Sequence, residues 1–171
     1  MKCILISGYK GSGKDIVGDI LKYRFDNVMM TSFAKKLKYI CSKKYGLPID
    51  YFYHYKDEYL VSPYECKPRD LLRIVGEWYR NVDKNYWVNA IVNEIEKYES
   101  KYPDGVVIIT DYRFLNEYEV IKHRWETTRI HVDRGYHSDG HSSEQFLESD
   151  SVISNTGSIN DLHYELNKIK F

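Results

Sequence analysis

The twelve residues Ile4-Leu5-Ile6-Ser7-Gly8-Tyr9-Lys10-Gly11-Ser12-Gly13-Lys14-Asp15 leave a chain few ways to fold. A short apolar run from Cys3 to Ile6 ends in a glycine-rich turn, and Ile16, Val17, Ile20, Leu21 and Phe25 follow at helical spacing. The stretch therefore predicts a buried strand, a tight turn and a helix N-terminus in immediate succession. Gly8-x-x-x-x-Gly13-Lys14 has the spacing of a phosphate-binding loop. Residues without Cβ let consecutive backbone N–H groups turn inward as an anion nest, and the helix dipole adds partial positive charge. Lys14 would reach the outer phosphates of a nucleotide. Asp15 stands where a hydroxyl residue usually follows the lysine. A flexible Gly/Ser turn is the alternative.

At 171 residues the chain is read as one domain, long enough to bury a single core. Its 25 basic and 25 acidic side chains balance, which gives no reason to expect a nucleic-acid or membrane surface. Cys3, Cys41 and Cys66 are odd in number and without paired spacing, as expected of a reducing compartment and not of a disulfide or zinc framework. The longest apolar runs, 3–6 and 106–109, fit neither a signal peptide nor a membrane span.

Strands are expected at 3–7, 28–30, 106–110, 128–132 and 152–153. Helices are expected at 14–25, from Phe33 to a stop at Gly46-Leu47-Pro48, and from Pro68 through Leu71, Leu72, Val75 and Tyr79, with Gly76-Glu77-Trp78 as a break. Further helices are expected after Asp83 along Trp87, Val88, Ile91, Val92 and Ile95, through Val120 and Ile121, and after Ser158 along Ile159, Leu162, Leu166 and Ile169. Residues 49–67 read as a loop or broken helix, and 134–143 as a mobile loop. Strands alternating with helices predict an α/β fold, a parallel sheet covered on both sides. Ligands of such sheets bind beyond the carboxyl ends of the strands. The loop at 8–14, Asp111 to Arg113, Arg134 and Asn155 all fall at that edge.

Asp111 ends a hydrophobic strand, where a carboxylate holds Mg²⁺ directly or through water, or else caps the next helix. Arg113, two residues on, is a solvated surface group or a bidentate phosphate clamp. Arg69, Arg73, Arg80, Arg129 and Arg134 add cations near the expected cleft. Phosphoryl transfer between two anions requires several. Among them Arg73 reads as a surface group, with Arg80 better placed after the expected break. The histidines form no metal set, His137 and His141 included, and most read as solvated. Phe33, Trp78 and Trp87 could stack on a base, though Trp87 belongs to an apolar stripe and reads as core.

Taken together, several segments resemble the deoxynucleoside monophosphate kinases of bacteriophages and large DNA viruses, within the P-loop nucleoside monophosphate kinase group. The segments are Gly8 to Asp15, Ser32-Phe33-Ala34-x-x-Leu37-Lys38, Pro68-Arg69-x-Leu71-Leu72 and Gly76 through Arg80. They continue with Asp111-x-Arg113-x-x-Asn116-Glu117, Arg134, His141-x-Ser143-Glu144 and Asn155-x-Gly157-Ser158. The resemblance implies a three-layer α/β/α P-loop kinase fold with a parallel five-stranded sheet. It also implies a helical monophosphate-binding insertion over about 33–100 and a lid over about 134–146. The implied reaction is ATP and dNMP to ADP and dNDP, with Mg²⁺. Gly8, Lys10, Gly11, Ser12, Gly13, Lys14, Asp15 and Ile16 would serve ATP, with Asn155 and Gly157 by its adenine. Phe33, Lys36, Arg69, Gly76, Arg80, Trp87, Asp111 and Arg113 would serve the acceptor. Lys14, Asp111, Arg113 and Arg134 would form the catalytic set, and Asp15 and Asp111 would organise the metal. The Glu77-Trp78 pair departs from the small hydroxyl residue usual after Gly76. The resemblance further implies a small-molecule substrate, a tendency to homodimers and a viral or phage protein of deoxynucleotide metabolism acting in the host cytoplasm.

Two other readings fit part of the pattern. One is a P-loop kinase of another small phosphorylated metabolite, such as dephospho-coenzyme A or phosphomevalonate. The other is a non-catalytic, nucleotide-gated switch, which leaves the arginines without a task.

Overall fold

In the computed structural model, which describes residues 1–60, 63–135 and 146–171, the elements follow in the order β1 (Lys2–Ser7), α1 (Lys14–Lys22), β2 (Val28–Thr31), α2 (Ala34–Tyr45), α3 (Asp50–Tyr53) and α4 (Pro68–Val82). They continue with α5 (Tyr86–Glu99), β3 (Val106–Ile109), α6 (Leu115–Lys122), β4 (Glu126–Asp133), β5 (Ser151–Ser154) and α7 (Ile159–Asn167). Two compact units result, one of Met1–Ser32 with Val92–Phe171 and one of Phe33–Ile91.

The larger unit holds a five-stranded sheet, order β2-β3-β1-β4-β5, and every pairing is parallel. This is the predicted sheet, with the same five strands. Side chains alternate across it. Ile4, Ile6, Val106, Ile108, Ile130, Val132 and Ile153 pack with Val17, Ile20 and Leu21 of α1 and Leu162 and Leu166 of α7. Residues of opposite parity, Cys3, Leu5, Val107 and Ile109, are equally buried on the other face. There the Arg129 guanidinium lies 4.1 Å from the Tyr118 ring centre of α6. Both faces are covered, which is why the β3 strand is apolar throughout. β1 connects toward β2 on one side, whereas β4 and β5 lie on the other, so the chain reverses its winding about β1.

The smaller unit is helical. Leu37 and Cys41 of α2, Phe52 of α3, Leu71 and Val75 of α4 and Trp87 of α5 form its core with Leu60. The break expected at Gly76 is absent: α4 runs unbroken from Pro68 to Val82. A helical glycine costs about 1 kcal/mol relative to alanine. Close packing offsets that cost, since a Cβ on Gly76 would stand 3.3 Å from Leu37 Cδ2. The first helix is also shorter than predicted. It ends at Lys22, and Phe25 instead packs edge-on against Phe171.

Among the described residues no helix is long and apolar enough to cross a membrane. Apart from Arg134, Gly135 and Phe146, the expected lid segment, with His137, His141, Ser143 and Glu144, lies outside the described residues.

Candidate active site

The turn between β1 and α1 is a closed loop. Ser12 N–H donates to the Tyr9 carbonyl at 3.1 Å, and Val17 N–H to the Gly13 carbonyl at 3.0 Å begins the helix. Gly8 (φ 142°) and Gly13 (φ 96°) hold backbone conformations that L side chains rarely adopt. Space is equally restrictive. A Cβ on Gly8 would stand 2.5 Å from the Val132 carbonyl oxygen and 2.6 Å from Ser12 Oγ, and one on Gly13 would collide with Asn155 Nδ2. Lys14 Nζ donates to the Gly8 and Tyr9 carbonyls, each at 2.7 Å, which holds the ammonium across the loop. Ser12 Oγ is buried with no hydrogen-bond partner. A glycine cradle, an orphaned hydroxyl, a helix N-terminus and a lysine together suit a polyphosphate. Lys10, Gly11, Asp15 and Ile16 are exposed along the same turn.

The turn after β3 reaches the same edge of the sheet. Tyr112 N–H donates to the Ile6 carbonyl at 3.1 Å, which sets Asp111 beside the strand end that launches the loop. Glu117, 4 % exposed, accepts the N–H groups of Arg113 (2.8 Å) and Phe114 (3.1 Å) through one carboxylate oxygen. Glu117 thus closes the α6 N-terminus. Its position three residues after Phe114 is the capping-box spacing, a signal available in the sequence. Asp15 and Asp111 fall at this edge together with Asp133, which ends β4, and with Glu117, whose carboxylate is taken up by backbone N–H groups; among the described residues no three His, Cys, Asp or Glu side chains converge as a metal site. Such a donor set suits Mg²⁺, which is commonly held by one or two carboxylates together with substrate phosphates and water.

Asn155, just past β5, is 8 % exposed. Its Nδ2 donates to the Ser12 carbonyl at 2.7 Å, and its N–H to the Asp133 carbonyl at 2.7 Å. Gly157 is exposed, and a Cβ there would meet Asp161 Oδ2, which caps α7 by accepting from Ser158 N–H. Arg134 is exposed after β4.

Two residues near this edge were not anticipated. Thr31, at the end of β2, keeps Oγ1 buried without a hydrogen-bond partner. His131, expected among solvated histidines, is 3 % exposed, with Nδ1 3.1 Å from Ser7 Oγ and its ring edge-on to Tyr9. Burial lowers its pKa; the Asp133 charge opposes the shift and the Lys14 charge reinforces it. Arg129 is a correction. It faces the covered side of the sheet, pairs with Asp150 through Nη2 at 2.8 Å and lies over Tyr118, so it is a structural group.

In the smaller unit, Phe33 is 5 % exposed and Lys36 Nζ lies 5.3 Å from the Tyr86 ring centre. Arg69 forms a bidentate pair with Asp57, at 2.6 and 2.9 Å. The Arg80 guanidinium lies over Gly76, both terminal nitrogens 3.6 Å from where a Cβ would be. Because α4 is unbroken, Arg69, Arg73 and Arg80 share one helical face, which removes the ground for setting Arg73 apart. Trp87 is 3 % exposed and its indole N–H donates to the Gly76 carbonyl at 3.1 Å, whereas Trp78 is 59 % exposed.

A parallel sheet in this order, ending in a glycine-rich anion loop, a lysine and a strand-end carboxylate, defines a kinase of the P-loop type. The phosphomevalonate kinase family model matches residues 6–127, and the chain belongs to that family. A putative deoxynucleotide monophosphate kinase of Acanthamoeba polyphaga mimivirus is 28% identical over 184 residues, covering 97% of this chain and 94% of the relative. Among solved structures, a sugar kinase from Janibacter sp. HTCC2649 matches with a TM-score of 0.54 at 11% identity, over 98% of this chain and 93% of that one. Dephospho-CoA kinase from Campylobacter jejuni matches with a TM-score of 0.50 at 15% identity, over 98% and 95%. These two likenesses concern the fold.

Proposed function

We propose that this kinase transfers the γ-phosphoryl group of ATP to the phosphate of a 2′-deoxynucleoside monophosphate, giving ADP and the deoxynucleoside diphosphate. One observation carries the reading. The Asp111-x-Arg113-x-x-Asn116-Glu117 turn, the most specific part of the resemblance together with Ser12-Gly13-Lys14-Asp15, is tied through Tyr112 N–H to the strand end that launches the phosphate loop. The name and near-complete coverage of the mimiviral relative support the substrate class.

The loop at 8–14 holds the donor phosphates, with Lys14 on the outer ones. Arg113 clamps the acceptor phosphate or the transferred group. Phe33, Lys36, Arg69, Gly76, Arg80 and Trp87 serve the acceptor nucleotide, within an insertion over about 33–100, and Arg134 acts from a lid over about 134–146. Asp15 and Asp111, with water, would hold Mg²⁺, which would supply neutralisation of the phosphate charge. An ionised acceptor phosphate is already nucleophilic, so no general base is needed. Catalysis is positioning and charge compensation, with water excluded so that ATP is not hydrolysed. The protein acts on a small molecule in the host cytoplasm, with a homodimer as its expected assembly.

A second reading, a kinase of phosphomevalonate or another small phosphorylated metabolite, is favoured by the name of the matching family model. An ADP-release assay with ATP and Mg²⁺ over deoxynucleotides, ribonucleotides, phosphomevalonate and dephospho-coenzyme A separates the two. Turnover confined to the last two acceptors overturns the deoxynucleotide reading, and ATP binding without any turnover supports the switch.

A further inference from the structure

We infer that Asn155 is a positioning residue of the donor site, orienting the Ser12–Gly13 peptide so that the Gly13 N–H faces the phosphates of ATP. This deepens the kinase reading and rests on residues 8–14 being the phosphate loop. Asn155 is buried, lies 143 residues from Ser12 in sequence and donates from Nδ2 to the Ser12 carbonyl at 2.7 Å. The carbonyl and the N–H of a trans peptide point in opposite directions. A Ser12 carbonyl drawn toward Asn155 therefore turns the Gly13 N–H away from it. That N–H stands at the start of α1, where no intrahelical carbonyl is available to it. The side-chain amide packs so closely on Gly13 that a Cβ there would collide with Nδ2, so one contact accounts for both the asparagine and the glycine. The amide itself is anchored, because the Asn155 N–H donates to the Asp133 carbonyl at the end of β4. A residue that the family resemblance assigns to the adenine is thus directed at the backbone of the loop.

Titration calorimetry with inorganic tripolyphosphate, ATP and GTP tests the inference on the unsubstituted chain, Asn155→Ala and Asn155→Asp. Asn155→Ala is expected to weaken all three ligands by the same factor, about tenfold, the equivalent of one hydrogen bond. The Gly13 amide cross-peak of the ligand-free protein should shift with it. Unchanged tripolyphosphate affinity combined with an altered ATP-to-GTP ratio overturns the inference in favour of an adenine contact. Where Asn155→Ala does not fold, Asn155→Asp carries the test, since it keeps the shape and turns an oxygen toward the Ser12 carbonyl. Unchanged tripolyphosphate affinity and an unmoved Gly13 signal in that variant overturn the inference. An unsubstituted chain that binds no tripolyphosphate overturns the loop reading as well, whereas tripolyphosphate binding without dNDP formation leaves this inference standing and removes only the deoxynucleotide substrate.

Discussion

His131 Nδ1 lies 3.1 Å from Ser7 Oγ, between residues in direct register on the parallel strands β4 and β1. Ser7 Oγ also lies 3.3 Å from the Ile130 carbonyl, to which its single hydroxyl proton donates. The arrangement that satisfies both contacts has the imidazole Nδ1–H donating to Ser7 Oγ. A buried ring beside the Tyr9 and Phe146 rings resists a second proton, and Lys14 adds to that resistance while Asp133 opposes it. The pKa of the folded state is therefore below the ordinary 6.5. The unfolded chain takes up this proton first as pH falls, so stability is intact above that value and declines below it, down to the folded pKa. Melting temperatures recorded between about pH 8 and pH 5 should fall on the acid side, and His131→Gln should flatten that slope. An identical slope in the variant would assign it to other groups.

Lys14→Ala and Arg113→Ala should each lower turnover by orders of magnitude, about 10² or more, with the melting temperature little changed. Lys14 Nζ donates to two loop carbonyls, Glu117 fixes the Arg113 turn through the backbone N–H, and neither residue belongs to either hydrophobic core. Steady-state ADP release on the purified variants checks this, and near-normal turnover in either one counts against the kinase assignment.

Local signals carried most of the fold. The β-branched run 106–109 became β3, Gly46 ended α2, and Ser158 capped α7 by accepting from Asp161 N–H. What stayed hidden depends on sheet faces and distant contacts. Arg129 and His131 alternate with Ile130 and Val132, a pattern that reads as polar side out, yet both faces of a parallel sheet are covered and both side chains are buried with partners. Gly76 reads as a helix break because its packing against Leu37, far away in sequence, is invisible locally. At the candidate site, the loop at 8–14 and the turn at 111–117 are legible as continuous motifs. The amide of Asn155 on the Ser12 carbonyl spans 143 residues and leaves no local trace.

Glu117→Gln should separate positioning from stability. The carboxylate accepts two backbone N–H groups through one oxygen, and the amide keeps an acceptor of the same shape without the charge. Loss of a charged acceptor at a helix N-terminus costs about 1–2 kcal/mol, read as a lower denaturant midpoint at constant m-value. Because the Arg113 N–H is one of the two donors, the kcat should also fall while the KM for ATP stays near its original value. A stability loss with unchanged kcat would confine Glu117 to capping.

Asp150 provides the contrasting case, an ionic contact with no expected part in turnover. Its carboxylate accepts from Arg129 N–H at 2.8 Å and from Nη2 at 2.8 Å. Burial works against the charged form, but the Arg129 hydrogen bonds and charge prevail and hold the pKa below the usual 3.8. Stability from this group is therefore present above that value and lost as pH falls through the folded pKa. The Asp150 side chain is 42 % exposed and that of Arg129 only 11 %, so water screens one partner, while the other would keep only the exposed Glu148 carboxylate, 3.9 Å from Nη1. Asp150→Ala should cost about 1–2 kcal/mol, less than a fully buried pair and more than a surface one. Arg129→Met, which keeps an apolar stem beside Tyr118, should cost less than Asp150→Ala because it leaves no cation under α6 with only the long, exposed Glu148 pair to offset its burial. Urea titrations of both variants check the order, and the reverse order would mean that stacking on Tyr118, and not the ion pair, is what Arg129 contributes.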